Sequence, residues 1–95
     1  MVLSKRIVYW LLVASRGGTN RIRILELLKE KPGNTKQVAE ALQLDYKTVQ
    51  HHLEIMLKHQ LVETTGEGYG KIYFVSQDME EMWNEFREYF EKARE

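Results

Sequence analysis

The sequence predicts a mainly α-helical domain with one small β-hairpin, and three observations carry that prediction. Apolar residues recur at helical spacing in several segments. Two short runs rich in β-branched and aromatic residues, 61–65 and 71–75, flank a stretch holding Gly66, Gly68 and Gly70. The Gly17-Gly18 and Pro32-Gly33 pairs fall between segments, where chain breakers belong. At 95 residues the chain is one domain, since two independent cores would each be too small to be stable.

Taken in order, Ser4 to Ser15 reads as an apolar helix opened by an N-cap serine and stopped by Gly17-Gly18. A strand is the alternative there, because Ile7, Val8 and Tyr9 favour one. Thr19 or Asn20 then caps a helix over roughly 20–31, with Ile22, Leu25 and Leu28 on its apolar face and Ile24 and Leu27 alongside. Pro32-Gly33 ends it. Asn34 or Thr35 opens a short helix, and Gln37 stands three residues after Asn34 as a capping box requires. Val38, Ala41 and Leu42 face inward on it. Gln43-Leu44-Asp45 makes a tight connection, and Asp45 suits the N-cap of a helix over about 46–59 that buries Val49, Leu53, Met56 and Leu57. The two strands of the hairpin follow, joined by glycines where positive φ is expected. Ser76 or Asp78 caps a last helix.

A short helix, a three-residue turn, a longer helix and then a hairpin form a specific order: a helix-turn-helix followed by a wing. The expected architecture is therefore a winged helix-turn-helix over 19–75, with an N-terminal helix in 1–18 and a C-terminal helix in 76–95 that serve dimerisation.

Composition narrows the function. The chain has no Cys, which excludes disulfides, thiolate metal sites and cysteine nucleophiles. The longest apolar run, Ile7 to Ala14, is far short of the roughly 20 residues that span a bilayer. Lys5 and Arg6 before it give it an outline like that of a signal peptide, but the run is short and a cytoplasmic location is expected. Formal charge is zero, yet unevenly spread: residues 1–31 hold seven Lys/Arg against two Glu, and 76–95 hold three basic against seven acidic groups. Bulk charge thus gives no sign of nucleic-acid binding, whereas the charge on one face still decides it. No paired carboxylates, Ser/His/Asp set or nucleotide-binding fingerprint occurs, so no enzyme and no cofactor are expected.

The helix from Tyr46 has an apolar back and a polar front of Tyr46, Lys47, Thr48, Gln50, His51 and Glu54. A front of this kind suits the DNA major groove, which admits one helix and displays distinct donor and acceptor patterns. Gln50 can pair with an adenine in two places, and Lys47 or His51 can donate to guanine or phosphate. Taken alone, the same residues would be a solvated helix face; the turn before them and the hairpin after them favour duplex DNA as partner. Thr35, Lys36 and Gln37, at the start of the short helix, offer a hydroxyl and free backbone N–H groups to a phosphate. Tyr69 and Lys71 in the wing loop face the DNA backbone or minor groove, with an exposed flexible turn as the alternative. The glycines there join two strands and precede no helix, so they are not a nucleotide-phosphate loop. His51, His52 and His59 lack a carboxylate at ligand spacing. No metal site is expected, and His52 reads as a hydrogen-bonded structural histidine.

The last helix carries Met79, Met82, Phe86, Tyr89 and Ala93 at heptad-like spacing, widened by Trp83 and Phe90. That is more aromatic surface than its own small core is expected to cover. A two-fold dimer burying Ile7, Trp10 and Leu11 with Met79, Met82, Trp83, Phe86, Tyr89 and Phe90 accounts for it; folding back on its own domain is the alternative.

The stretch NTKQVAEALQLDYKTVQHHLEIMLKHQLVETTGEGYGKIYFVS resembles the winged-helix repressors of the ArsR type, over about residues 19–76. Val38-Ala39, Thr48-Val49, His52-Leu53, Leu57, Leu61-Val62 and the Gly-rich wing ending in Tyr73 carry the likeness. The resemblance implies a homodimer on an inverted-repeat operator, with the flanking helices at the interface. Two departures stand out. Gln50 replaces the usual Ser, so base preference does not transfer. The Cys ligands and the terminal-helix His of the metal-sensing members are missing, so regulation by arsenic, zinc or cadmium through those sites is not expected, and no effector is visible. The expectation is a sequence-specific transcriptional regulator, a repressor by preference. A winged-helix protein-interaction module is the alternative, favoured by the neutral charge and the acidic last helix.

Overall fold

The computed structural model describes residues 3–93, the side chains of Tyr69 and Ala93 excepted. Its order is α1 (Lys5–Tyr9) running on into a π-helical turn (Trp10–Ala14), α2 (Gly18–Glu30), α3 (Thr35–Leu42), α4 (Tyr46–Lys58), β1 (Val62–Thr65), β2 (Ile72–Val75) and α5 (Gln77–Ala93). This is the expected winged helix-turn-helix.

The first helix is not the regular one the apolar run predicts. Ser4 caps it through the Ile7 N–H, as anticipated. From Trp10 onward, however, the turn widens until Ser15 N donates to the Trp10 carbonyl at 2.9 Å. The cause is competition for one acceptor. The Leu11 carbonyl, which an α-helix would give to the Ser15 N–H, accepts from Ser15 Oγ at 3.1 Å and from Arg21 Nη1 at 2.8 Å. A side chain inserted into the backbone ladder is one of the few causes of such a bulge.

Gly18 starts α2 instead of stopping α1, and Gly17, not Thr19 or Asn20, is its N-cap residue. A Cβ at Gly18 would collide with the Leu12 carbonyl oxygen and stand 2.8 Å from its carbon, so the glycine is what lets the two segments meet. At the far end Lys31 is extended ahead of Pro32, as the residue before a proline must be. Gly33 then pairs in both directions with Tyr73, Gly33 N–Tyr73 O at 3.2 Å and Tyr73 N–Gly33 O at 2.8 Å. That bridge ties the entrance of α3 to the hairpin.

The helix-turn-helix forms as its caps predict. Asn34 Oδ1 accepts from Gln37 N and Gln37 Oε1 from Asn34 N, both at 2.8 Å, closing the capping box. Gln43 ends α3 in the left-handed region at φ 56°. Asp45 accepts from Thr48 N at 3.2 Å and starts α4. The strands pair antiparallel, Val62 opposite Val75 and Thr64 opposite Tyr73. Of the three loop glycines, Gly66 and Gly68 take positive φ and Gly70 does not.

Ser76 caps α5 through Met79 N at 3.1 Å. The α5 stripe corrects the dimer expectation. Met79, Met82, Phe86 and Phe90 are buried within the chain's own core, and so is Leu11. The buried positions step by 3, 4 and 4, so the stripe drifts off Tyr89 onto Phe90, following a straight 3.6-residue helix packed on α2 and the π turn. What stays outside at these ends is Trp10 (58% exposed), Tyr89 and Tyr9, with Ile7 and Trp83 half-buried. Lys29 fastens the start of α5, pairing with Glu80 and lying 4.9 Å over the Trp83 ring. One hydrophobic cluster runs from Leu3 to Phe90.

Candidate nucleic-acid interface

Why α4 has a free outer side follows from its burial. Val49, His52, Leu53 and Met56 form one inward stripe, the first, third and fourth being wholly enclosed. At about 100° per residue the opposite ridge is Lys47, His51, Glu54 and Lys58, and all four are exposed. Tyr46, Thr48 and Gln50 are exposed as well. Thirteen residues make a rod roughly 20 Å long, which fits a groove about 12 Å wide.

On one flank of α4 the start of α3 and the wing stand off to leave a groove of about 510 Å³. Its walls are Asn34, Thr35 and Lys36 of α3's first turn, Tyr46, Gln50, Glu54 and Leu57 of α4, and Gly68, Lys71 and Tyr73 of the hairpin. The structure thus brings together, from three separate segments, Thr35, Lys36, Tyr46, Gln50 and Lys71 of the expected set. Sequence reasoning missed Asn34, Leu57 and Tyr73 as wall residues and gave Glu54 no role. The polar periodicity of α4 is the signal that marks Glu54; nothing local marks Tyr73.

Two expected contacts are corrected. Thr35 is 8% exposed, its hydroxyl turned to the Tyr73 phenol, because the Gly33–Tyr73 bridge draws β2 over the helix start. Little of it is open to a phosphate. Gln37 is exposed, but its carbonyl oxygen and its backbone N–H are both spent in the capping box. Its free amide nitrogen and the Lys36 ammonium are what this helix start presents. Lys36 lies 4.0 Å from Glu40, a contact between two well-exposed groups that leaves the ammonium available. Tyr69 was expected in the wing contact, and its side chain lies outside the described residues. Lys71 is half-buried in the groove wall.

Electrostatics divide the histidines. His51 is exposed. His52 is 7% exposed, and burial first, then the charges of Arg21 and His51, push it down to about 4. It is a neutral core residue at neutral pH. It is the structural histidine expected, and its Nδ1 is buried without a hydrogen-bond partner. Burial, with Glu54 and Tyr46 nearby, raises the Tyr73 phenol, which therefore stays protonated. No group of three or more His, Asp or Glu among the described residues is placed to hold a metal ion. No helix there is long and apolar enough to cross a membrane.

Fold and surface together define the class: a winged helix-turn-helix protein with an uncovered second helix. Residues 19–64, from the first turn of α2 to β1, match the sequence model of the bacterial regulatory protein arsR family. No curated protein matches the chain by sequence. Among solved structures, Rv0081 of M. tuberculosis is similar at 23% identity and a TM-score of 0.71, over 95% of this chain and 88% of that one. The homodimeric winged helix-turn-helix DNA-binding domain of Mb0332 from Mycobacterium bovis, described as a possible ArsR-family regulator, is similar at 22% identity and a TM-score of 0.66, over 97% and 91%. ZitR of Lactococcus lactis is similar at 18% identity and a TM-score of 0.62; the match covers 78% of this chain and 53% of ZitR, about half its length. The chain thus has the winged helix-turn-helix fold, and its segment 19–64 is similar to the bacterial regulatory protein arsR family.

Proposed function

We propose that this protein is a sequence-specific DNA-binding repressor that works as a homodimer on an inverted-repeat operator. The observation that carries the reading is the exposure of Lys47, Gln50 and His51 on the ridge and flank of α4. Gln50 and His51 read base edges; Lys47, Lys36 and the amide of Gln37 hold phosphates; Lys71 and Tyr69 approach from the wing. Dimerisation falls to Tyr9, Trp10 and Tyr89, together with half-buried Ile7 and Trp83. A two-fold pairing there would set two copies of α4 into major-groove segments about 34 Å apart. Repression follows from occupancy, since no surface beyond this unit is needed to block a promoter.

Selection of bound duplexes from a random pool tests this reading. An enriched palindromic site is expected. On that site Gln50→Ala should cost about 1–3 kcal/mol and leave random duplex unaffected, whereas Lys47→Ala should weaken both alike. No enrichment, or equal loss with Gln50→Ala on both duplexes, refutes the assignment. Glu54 in the groove wall and the acidic α5 favour one other reading, a module that docks a basic protein segment; binding to no duplex at low salt would select it.

A further inference from the structure

A helix lying in the major groove has a sugar-phosphate wall on each side, and the residues considered so far serve one of them. Lys36 and Lys71 both line the groove beside Tyr46 and Gln50. The opposite flank of α4 carries Thr48, His52, Ile55 and His59, and there the neighbour is the α1–α2 connection. A Cβ built on Gly17 would lie 2.8 Å from His52 Cε1, so this connection is packed directly against the middle of α4. Arg16, the residue before Gly17, is exposed and forms no ion pair among the described residues.

The connection is also held firmly. Arg21 Nη1 donates to Ser15 Oγ at 2.7 Å and to the Leu11 carbonyl at 2.8 Å, and Gly18 N donates to the Ser15 carbonyl at 3.1 Å. An Arg16 side chain presented from a fixed backbone loses less freedom on binding than one on a mobile loop.

We infer that Arg16 grips the second phosphate wall, opposite the one held by Lys36 and the wing, and so fixes how far α4 rotates within the groove. The inference rests on the duplex-binding reading above. It adds a contact from an element outside the helix-turn-helix and the hairpin. An arginine fits the task because its fork pairs with two phosphate oxygens at once.

The test is a salt titration of fluorescence anisotropy on a labelled random-sequence duplex between about 50 and 200 mM KCl, with wild type, Lys36→Ala, Arg16→Ala and Arg16→Lys. Each phosphate contact contributes about 0.9 to the slope of log K against log salt. Arg16→Ala is expected to flatten the slope by about that amount, as Lys36→Ala does, with an unchanged melting temperature; Arg16→Lys should restore most of it. A slope equal to wild type in Arg16→Ala, beside a reduced one in Lys36→Ala, overturns the inference and leaves the duplex reading standing. Failure of the wild type to bind at any salt overturns both.

Discussion

Below pH 6.5 the wild-type domain should lose stability that a His52→Gln variant keeps. An unfolded histidine titrates near 6.5, whereas burial beside Arg21 and His51 holds His52 at about 4 in the fold. Above 6.5 both states are neutral and His52 contributes no pH dependence. Between 6.5 and 4 the unfolded chain carries a proton that the folded one refuses, so unfolding becomes easier by about 1.4 kcal/mol for each pH unit. Below 4 both are protonated and the loss is complete. By pH 4.5 it amounts to about 2–3 kcal/mol, a large part of the roughly 5–15 kcal/mol available to a domain. With a urea slope of about 1–1.5 kcal/mol/M, the midpoint should fall by roughly 2 M. The assay is urea unfolding followed by tryptophan fluorescence at pH 7.5, 6, 5 and 4.5 on both proteins. The readout is the difference between their midpoints, in which the carboxylates common to both cancel. The gap should widen as pH falls. Midpoints that fall in parallel, or an NMR titration of His52 near 6.5, would refute the reasoning.

Two further outcomes follow from close packing and from exposure. Gly18→Ala puts a methyl into the Leu12 carbonyl, which as backbone cannot step aside; the cost should be about 1–3 kcal/mol, lowering the melting temperature by roughly 5–15 °C, and an unchanged melting curve would mean the two segments do not meet this closely. Trp10→Glu with Tyr89→Glu changes only exposed rings. It should yield a folded monomer by sedimentation with weakened operator binding, and a dimer that survives both changes would move the interface elsewhere.

The features legible in the sequence are those decided within a few residues. Asn34 and Gln37 close their capping box, Asp45 caps α4, Ser76 caps α5, and the strand pairing around the glycines falls where the β-branched runs put it. What could not be read is set by partners far along the chain. The π turn exists because Arg21 reaches back ten residues to the Leu11 carbonyl. Thr35 is buried because the β2 tyrosine arrives over it from beyond α4. The α5 stripe is covered because that helix lies along α2, and no pattern of apolar spacing says whether a stripe meets its own core or a twin's. The polar ridge of α4 was legible for the complementary reason: its inward stripe fixes the outward one.

Arg21 links the segment before α2 to α4. It is a buried cation with no carboxylate among its described partners; its Nη1 is satisfied by a carbonyl and a hydroxyl of the α1 segment, and its Nε by nothing. Beside it α4 supplies a histidine held neutral, in part by that same charge. An anionic side chain in place of His52 would pair with the guanidinium, at the cost of desolvating a second charge. With a neutral ring, the π turn and Ser15 hold Arg21 by directed hydrogen bonds, whereas His52 of α4 lies across the space left by the missing Cβ of Gly17. Hydrogen bonds tolerate little change of angle, and packed rings tolerate little change of volume. Arg21 thus joins the Trp10–Ala14 turn to the middle of α4 by one directed and one close-packed contact.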